Sequence, residues 1–244
     1  HADGTEREYV ERAIEGGLKI LGFSDHSPYP FPEGYDSGMR MRLDQVEDYV
    51  DTVLALRKEY EKDIEIHLGL ETEYFPKFWD QLIDFLSDYP FEYFLLGQHS
   101  LGNEIEKILY SGHGTTEEKY LKQYVDQCLA GLDTGKYLYL AHPDLFRFDG
   151  DEAVFDREYR RLCREVKKRN IPLEINFLGL MEERWYPNER FWKIAGEEGN
   201  TAVFGCDAHT PKAVWNPETE QKALLLAEKY GLEVQETVPM PKTF

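Results

Sequence analysis

Six short apolar runs, each closing on an imidazole, a carboxylate or an amide and each separated from the next by a stretch of helical periodicity, constrain this chain more than any other feature. They read KILGFSDH to Asp25 and His26, IEIHLGLE to Glu71, YFLLGQH to His99, YLYLAHPD to His142 and Asp144, PLEIN to Glu174 and Asn176, and AVFGCDAH to Asp207 and His209. A continuous apolar run reads as a strand buried on both faces, which is the condition of parallel strands. When such strands alternate with helices, their C-terminal ends form one face on which chemically active side chains collect. The pattern therefore predicts a face carrying His26, Glu71, His99, His142, Asp207 and His209. One buried histidine is more often a hydrogen-bonded core residue than a ligand. This many, each at the end of an apolar run, reverse that expectation. Imidazole and carboxylate are ligands of Zn, Mn and Fe, and a carboxylate can bridge two ions. Asp207 and His209 fall on the same side of an extended segment, because side chains there alternate with period two.

The intervening stretches predict helices. Thr5-x-x-Glu8 is a capping box, with Tyr9, Val10, Ala13 and Ile14 on one face before Gly16-Gly17. Val46, Tyr49, Val50, Val53 and Leu54 form the next stripe, and Phe78, Leu82 and Phe85 a third. Thr115-x-x-Glu118 is expected to open a fourth helix, with Tyr120, Leu121, Tyr124, Val125, Cys128 and Leu129 on its apolar face. Tyr159 to Val166, Phe191 to Ala195 and Leu224 to Tyr230 mark three more. No Ser/Pro-rich linker or low-complexity run divides the chain, so residues 1–244 are expected to form a single domain. A barrel that opens on a helix lacks its first strand, so a further strand is expected ahead of His1, giving seven βα units.

Composition excludes several function classes. The 47 acidic residues against 28 basic ones give a net charge of −19, which argues against a nucleic-acid partner, since polyanion binding depends on cationic side chains. It leaves room for a small phosphorylated substrate, because divalent ions invert the local charge. The apolar share of 41% is ample for one large core. Cys128, Cys163 and Cys206 are odd in number and lack CxxC spacing, as expected of free thiols in the cytoplasm. No apolar run approaches the roughly 18 residues of a membrane span. GxGxxG, Walker and GxSxG patterns are absent, and nothing marks an oligomer interface.

The motifs GFSDH, GLE, GQH, AHPD and CDAHT, in this order, resemble those of the polymerase-and-histidinol-phosphatase (PHP) superfamily. The fuller text GFSDHSPYPF, MRM ahead of EDYV, GLETEYFP, YFLLGQH and AHPDLFRF resembles its histidinol-phosphatase branch over nearly the whole chain. The resemblance implies an α/β fold, a distorted (β/α)7 TIM-like barrel, with two to three divalent metal ions (Zn, Mn or Fe) at its C-terminal face. It implies hydrolysis of L-histidinol phosphate to L-histidinol and phosphate in histidine biosynthesis. It also implies metal ligation by His1, His26, Glu71, His99, His142, Asp207 and His209, with Glu71 as the bridge. The opening His-x-His of the family does not occur in these residues. Asp3 resembles the acid that protonates the leaving oxygen in this branch.

A planar guanidinium matches phosphate oxygens. Arg147, five residues beyond His142, is the first choice for that catalytic and substrate-binding contact. Arg40 and Arg42 come next, in a Pro/Gly/Tyr-rich segment (27–41) read as a lid, and His113 is a further candidate for reaching substrate. Glu174 and Asn176 are read as supporting the ligands or contacting substrate. Two alternatives stand beside the phosphatase. One is another phosphoesterase of the superfamily, acting on phosphotyrosine or nucleotides; the other is a metal-binding module without catalysis.

Overall fold

The computed structural model of the chain describes residues 2–240. Seven strands hydrogen-bond in chain order, every neighbouring pair parallel: β1 (Ile20–His26), β2 (Glu65–Glu71), β3 (Tyr93–Leu96), β4 (Tyr137–Leu140), β5 (Leu173–Asn176), β6 (Thr201–Gly205) and β7 (Glu233–Val234). α1 (Glu6–Glu15) precedes β1, and between the strands run α2 (Val46–Glu59), α3 (Trp79–Leu86), α4 (Glu118–Leu132), α5 (Glu152–Lys168), α6 (Phe177–Met181), α7 (Glu189–Glu198) and α8 (Pro217–Tyr230). Crossover helices of consistent hand lay each new strand beside the last, which produces this order. The sheet curls as a TIM-like half-barrel, with β1 and β7 as its edges among the described residues.

The β1–β2 register is unbroken from Ile20↔Glu65 to His26↔Glu71, so the last residues of both strands stand level at the same end. Inside the curl, Tyr93 lies across Gly22 and Gly69 and donates its hydroxyl to the Phe23 carbonyl at 2.8 Å. A β-carbon on either glycine would fall 2.4 Å from that ring or its oxygen. Outside, the helices bury the faces that their periodicity marks. α5 sets Phe155, Tyr159, Leu162, Cys163 and Val166 against the core and is capped by Asp151, which accepts from the N–H groups of Ala153 and Val154. The Thr5–Glu8 capping box forms at α1. Buried apolar residues from Val10 to Leu232 make one continuous cluster.

Several elements depart from expectation. The Thr115 hydroxyl accepts from Glu117 N–H at 3.1 Å, but its backbone bridges Phe148, and α4 starts three residues later, after Glu117. That pairing outcompetes the capping box. On α8, Leu224 and Leu225 are 44% and 54% exposed, and the docked face is built from Thr219, Ala223 and Ala227. α6 and β7 carry too few residues for any periodicity to announce them. The seventh strand among the described residues is β7, two residues long, after α8. No helix among the described residues is long and apolar enough to cross a membrane.

Candidate metal centre

Four strand ends converge on the Glu71 carboxylate. Its Oε2 lies 3.9 Å from His26 Nδ1, and its Oε1 lies 3.7 Å from His99 Nε2 and 2.9 Å from His142 Nε2. The His26 and His99 rings stand 5.1 Å apart at 77°, and those of His99 and His142 4.9 Å apart at 60°. Donor atoms of His26, Glu71 and His99 all fall within 4.8 Å of one another, a grouping that can hold an ion. The two longer separations exceed a hydrogen bond and approach the roughly 3.4 Å that two ligands span across a tetrahedral ion with bonds of about 2.1 Å. His142 Nδ1 is buried without a hydrogen-bond partner, and His99 Nδ1 reaches only Glu73, at 3.6 Å. Imidazoles left so poorly satisfied around a buried carboxylate fit a metal centre better than a structural polar cluster.

Electrostatics point the same way. Burial drives His26 down to about 3, so its imidazole is neutral and carries the lone pair that metal ligation needs. Burial alone would raise Glu71, but His26, His142 and His99 overcome it and hold the carboxyl below the usual range. For His142, burial opposes the charged form, yet the hydrogen bond to Glu71 prevails and lifts it to about 9. A cation binding here would compete with that proton, so its uptake should release one.

Asp207 belongs to a second, linked set. Its Oδ2 accepts from Asn176 Nδ2 at 3.1 Å; Asn176 also donates to Glu174 Oε2 at 3.0 Å, which in turn accepts from His142 N–H at 2.8 Å. This chain ties together the ends of β4, β5 and β6. Burial pushes Glu174 up to about 7. His142 and Asp207 both adopt positive φ, at 28° and 47°, a conformation uncommon outside glycine that re-aims side chains at sites. His209 is half-buried, its Nδ1 2.9 Å from the Asp207 carbonyl and 3.5 Å from Oδ1. Both residues stand outside the compact His26–Glu71–His99 group. Asp3 is exposed, with its N–H bonded to the His209 carbonyl at 2.9 Å, which sets it beside this loop. His1 lies outside the described residues.

The arginines separate sharply. Arg147 is exposed, 3.1 Å from Asp149, and lines a cavity of about 390 Å³. Arg184, which sequence reasoning missed, lines the same cavity and donates to the Tyr186 hydroxyl at 2.9 Å. The Tyr186 ring lies 6.1 Å from that of His142, although neither residue lines this cavity. The available signal was the Arg184-Trp185-Tyr186 run shortly after the β5 motif. Arg42 is exposed and pairs with Asp44 at 3.0 Å. Arg40 is buried, its guanidinium between Glu73 and Glu104, the latter at 2.6 Å from Nε, with Nη1 left without a hydrogen-bond partner. His113 is exposed, its ring 5.2 Å from Tyr110, which in turn lies 6.4 Å from His99. The segment read as a lid is fastened by Arg40 and by Tyr35, whose hydroxyl donates to Glu104 at 2.9 Å.

Comparison with known proteins places these features in context. The family model for the PHP domain matches residues 1–177. A probable histidinol-phosphatase of Deinococcus radiodurans is 27% identical over 231 residues, covering 88% of this chain and 84% of that protein. The histidinol-phosphatase of Bacillus subtilis is 27% identical over 244 residues, covering 85% and 88%. A solved histidinol phosphate phosphatase from Lactococcus lactis, in complex with zinc, L-histidinol and phosphate, shares the fold with a TM-score of 0.71 at 22% identity, over 97% of this chain and 91% of that one.

Proposed function

The chain belongs to the PHP domain family, and from that premise we propose that it is a metal-dependent phosphoric monoester hydrolase acting on L-histidinol phosphate in the cytoplasm, as one domain over residues 1–244. The observation that carries this reading is the Glu71 carboxylate, level with His26 and ringed by three imidazoles. The names of the relatives support the substrate.

Two to three ions (Zn, Mn or Fe) would be held by His1, His26, Glu71, His99, His142, Asp207 and His209, with Glu71 positioned to bridge. Bound there, they would acidify a water molecule and neutralise the phosphate oxygens. The remaining work falls to the chain. Arg147 and Arg184 present planar forks to the non-bridging oxygens and orient the ester. Asp3, beside the His209 loop, protonates the leaving oxygen. Trp185, exposed at the cavity wall, offers a ring face to the imidazole of the substrate. Burial of the imidazole cluster keeps bulk water from screening the charge on Glu71.

The test is phosphate release from L-histidinol phosphate, phosphotyrosine and p-nitrophenyl phosphate by the Mn- or Zn-reconstituted protein. Strong preference for histidinol phosphate, abolished by chelator, is expected. Equal, slow turnover of all three would instead mark a phosphoesterase of other specificity, and no turnover a binding module.

A further inference from the structure

Arg40 and Glu73 are both buried, with side chains 1% exposed, and neither is used by the proposed hydrolysis. Glu73 is a divided carboxylate. Its Oε2 accepts from the backbone N–H groups of His99 at 3.0 Å and Ser100 at 2.8 Å. Its Oε1 pairs with Arg40 Nη2 and lies 3.6 Å from His99 Nδ1. The opposite ring nitrogen of His99, Nε2, looks towards Glu71. An acceptor held beside Nδ1 keeps the ring proton there and leaves the Nε2 lone pair for the metal, which is how outer carboxylates commonly orient ligand imidazoles.

Arg40 is the only cation paired with Glu73 among the described residues. Its Nε bonds Glu104, and its guanidinium packs 5.3 and 5.4 Å from the Tyr29 and Phe75 ring centres. The fork is thus held through Nε and Nη2, between two carboxylates and two aromatic rings, while Nη1 is buried without a hydrogen-bond partner. Resting on the reading of this centre as a metal site, we infer that Arg40 is a positioning residue for His99, acting through Glu73, and does not bind substrate.

The test compares Arg40→Met, Glu73→Gln and the double variant with the wild-type protein. Each is titrated with Zn²⁺ or Mn²⁺ against a competing chelator, and KM for L-histidinol phosphate is measured at saturating metal. Each single change should weaken ion binding by roughly 10- to 100-fold, with KM near the wild-type value. The double variant should bind no more weakly than Glu73→Gln alone, because both changes break one path. Arg40→Met with wild-type ion affinity and a raised KM would overturn the inference and return Arg40 to the phosphate. Additive losses in the double variant would also overturn it, since they mean that Arg40 acts independently of Glu73. If Arg40→Met fails to fold, Arg40→Lys decides: reduced affinity supports the path and unchanged affinity refutes it. Wild-type protein that takes up no ion would defeat the metal reading itself, and this inference with it.

Discussion

Substituting Gly97 by alanine should disable the metal centre without removing a single ligand. Gly97 follows β3 and lies directly beneath the Glu71 carboxylate. A β-carbon there would stand 1.8 Å from Oε1, 2.7 Å from Cδ and 3.0 Å from Cγ of Glu71. The φ of Gly97 lies outside the left-handed range, so alanine meets no backbone penalty and the conflict is purely with the carboxylate. Ordinary β-carbon contacts do not fall below 3.0 Å, so Oε1 must retreat by about 1.2 Å, several times the roughly 0.2 Å that metal–ligand distances tolerate. Holding Glu71 in place instead costs about 1–3 kcal/mol of overpacking, equivalent to a loss of roughly 5- to 150-fold in ion affinity. The assay is chelator competition for Zn²⁺ or Mn²⁺, with thermal unfolding of the metal-free protein as the control for folding. A Gly97→Ala protein that melts like the wild type and binds the ion as tightly would refute the argument, because Glu71 in this orientation would then not be a ligand.

Three further outcomes follow from the scaffold. Gly69→Ala sets a β-carbon 2.4 Å from Tyr93 Cζ and should cost about 1–3 kcal/mol in urea unfolding; Tyr93→Leu should remove much of that penalty, giving a coupling in the double-mutant cycle. Burial works against Glu92, but the Leu68 N–H at 2.8 Å, His67 and Arg57 hold its carboxyl below the usual range. A depressed carboxylate stabilises above its unfolded value and loses that contribution as pH falls through its folded value. Glu92→Gln should therefore cost about 1–2 kcal/mol at pH 7, and the gap to wild type should close as pH falls below about 4. Burial pushes the Cys128 thiol up to about 12 and Cys163 higher still, so neither should react with a disulfide reagent at pH 8 until denaturant is added. Rapid labelling of either in the native protein would show that α4 or α5 opens locally.

How much of this was legible beforehand depended on whether polarity changes abruptly along the chain. β1 and β2 end at His26 and Glu71, where each apolar run closes on an imidazole or a carboxylate. The start of α1 was equally plain, since a capping box acts within four residues. The same signal failed at Thr115, where a long-range bridge to Phe148 claims the backbone. The docked face of α8 escaped notice because alanine carries little hydrophobic contrast, while Leu224 and Leu225 face outwards.

Within the site, sequence named residues and register supplied distances. His26 and Glu71 are 45 positions apart, and only the unbroken β1–β2 pairing sets them level. The arginines show where sequence reasoning stops. Arg40 and Arg42 sit two residues apart in one loop with the same claim on a phosphate, yet one is buried between two carboxylates and the other is open to solvent. Periodicity carries no information in an irregular segment, so nothing local distinguishes them. The deciding clue lay 33 residues away. Glu73 follows Glu71 by two, which adds a second buried carboxylate beside His99. A buried carboxylate requires a partner. With imidazoles engaged around Glu71, the cation that answers Glu73 has to arrive from another segment, and a loop arginine is the side chain long enough and sufficiently weakly hydrated to do so.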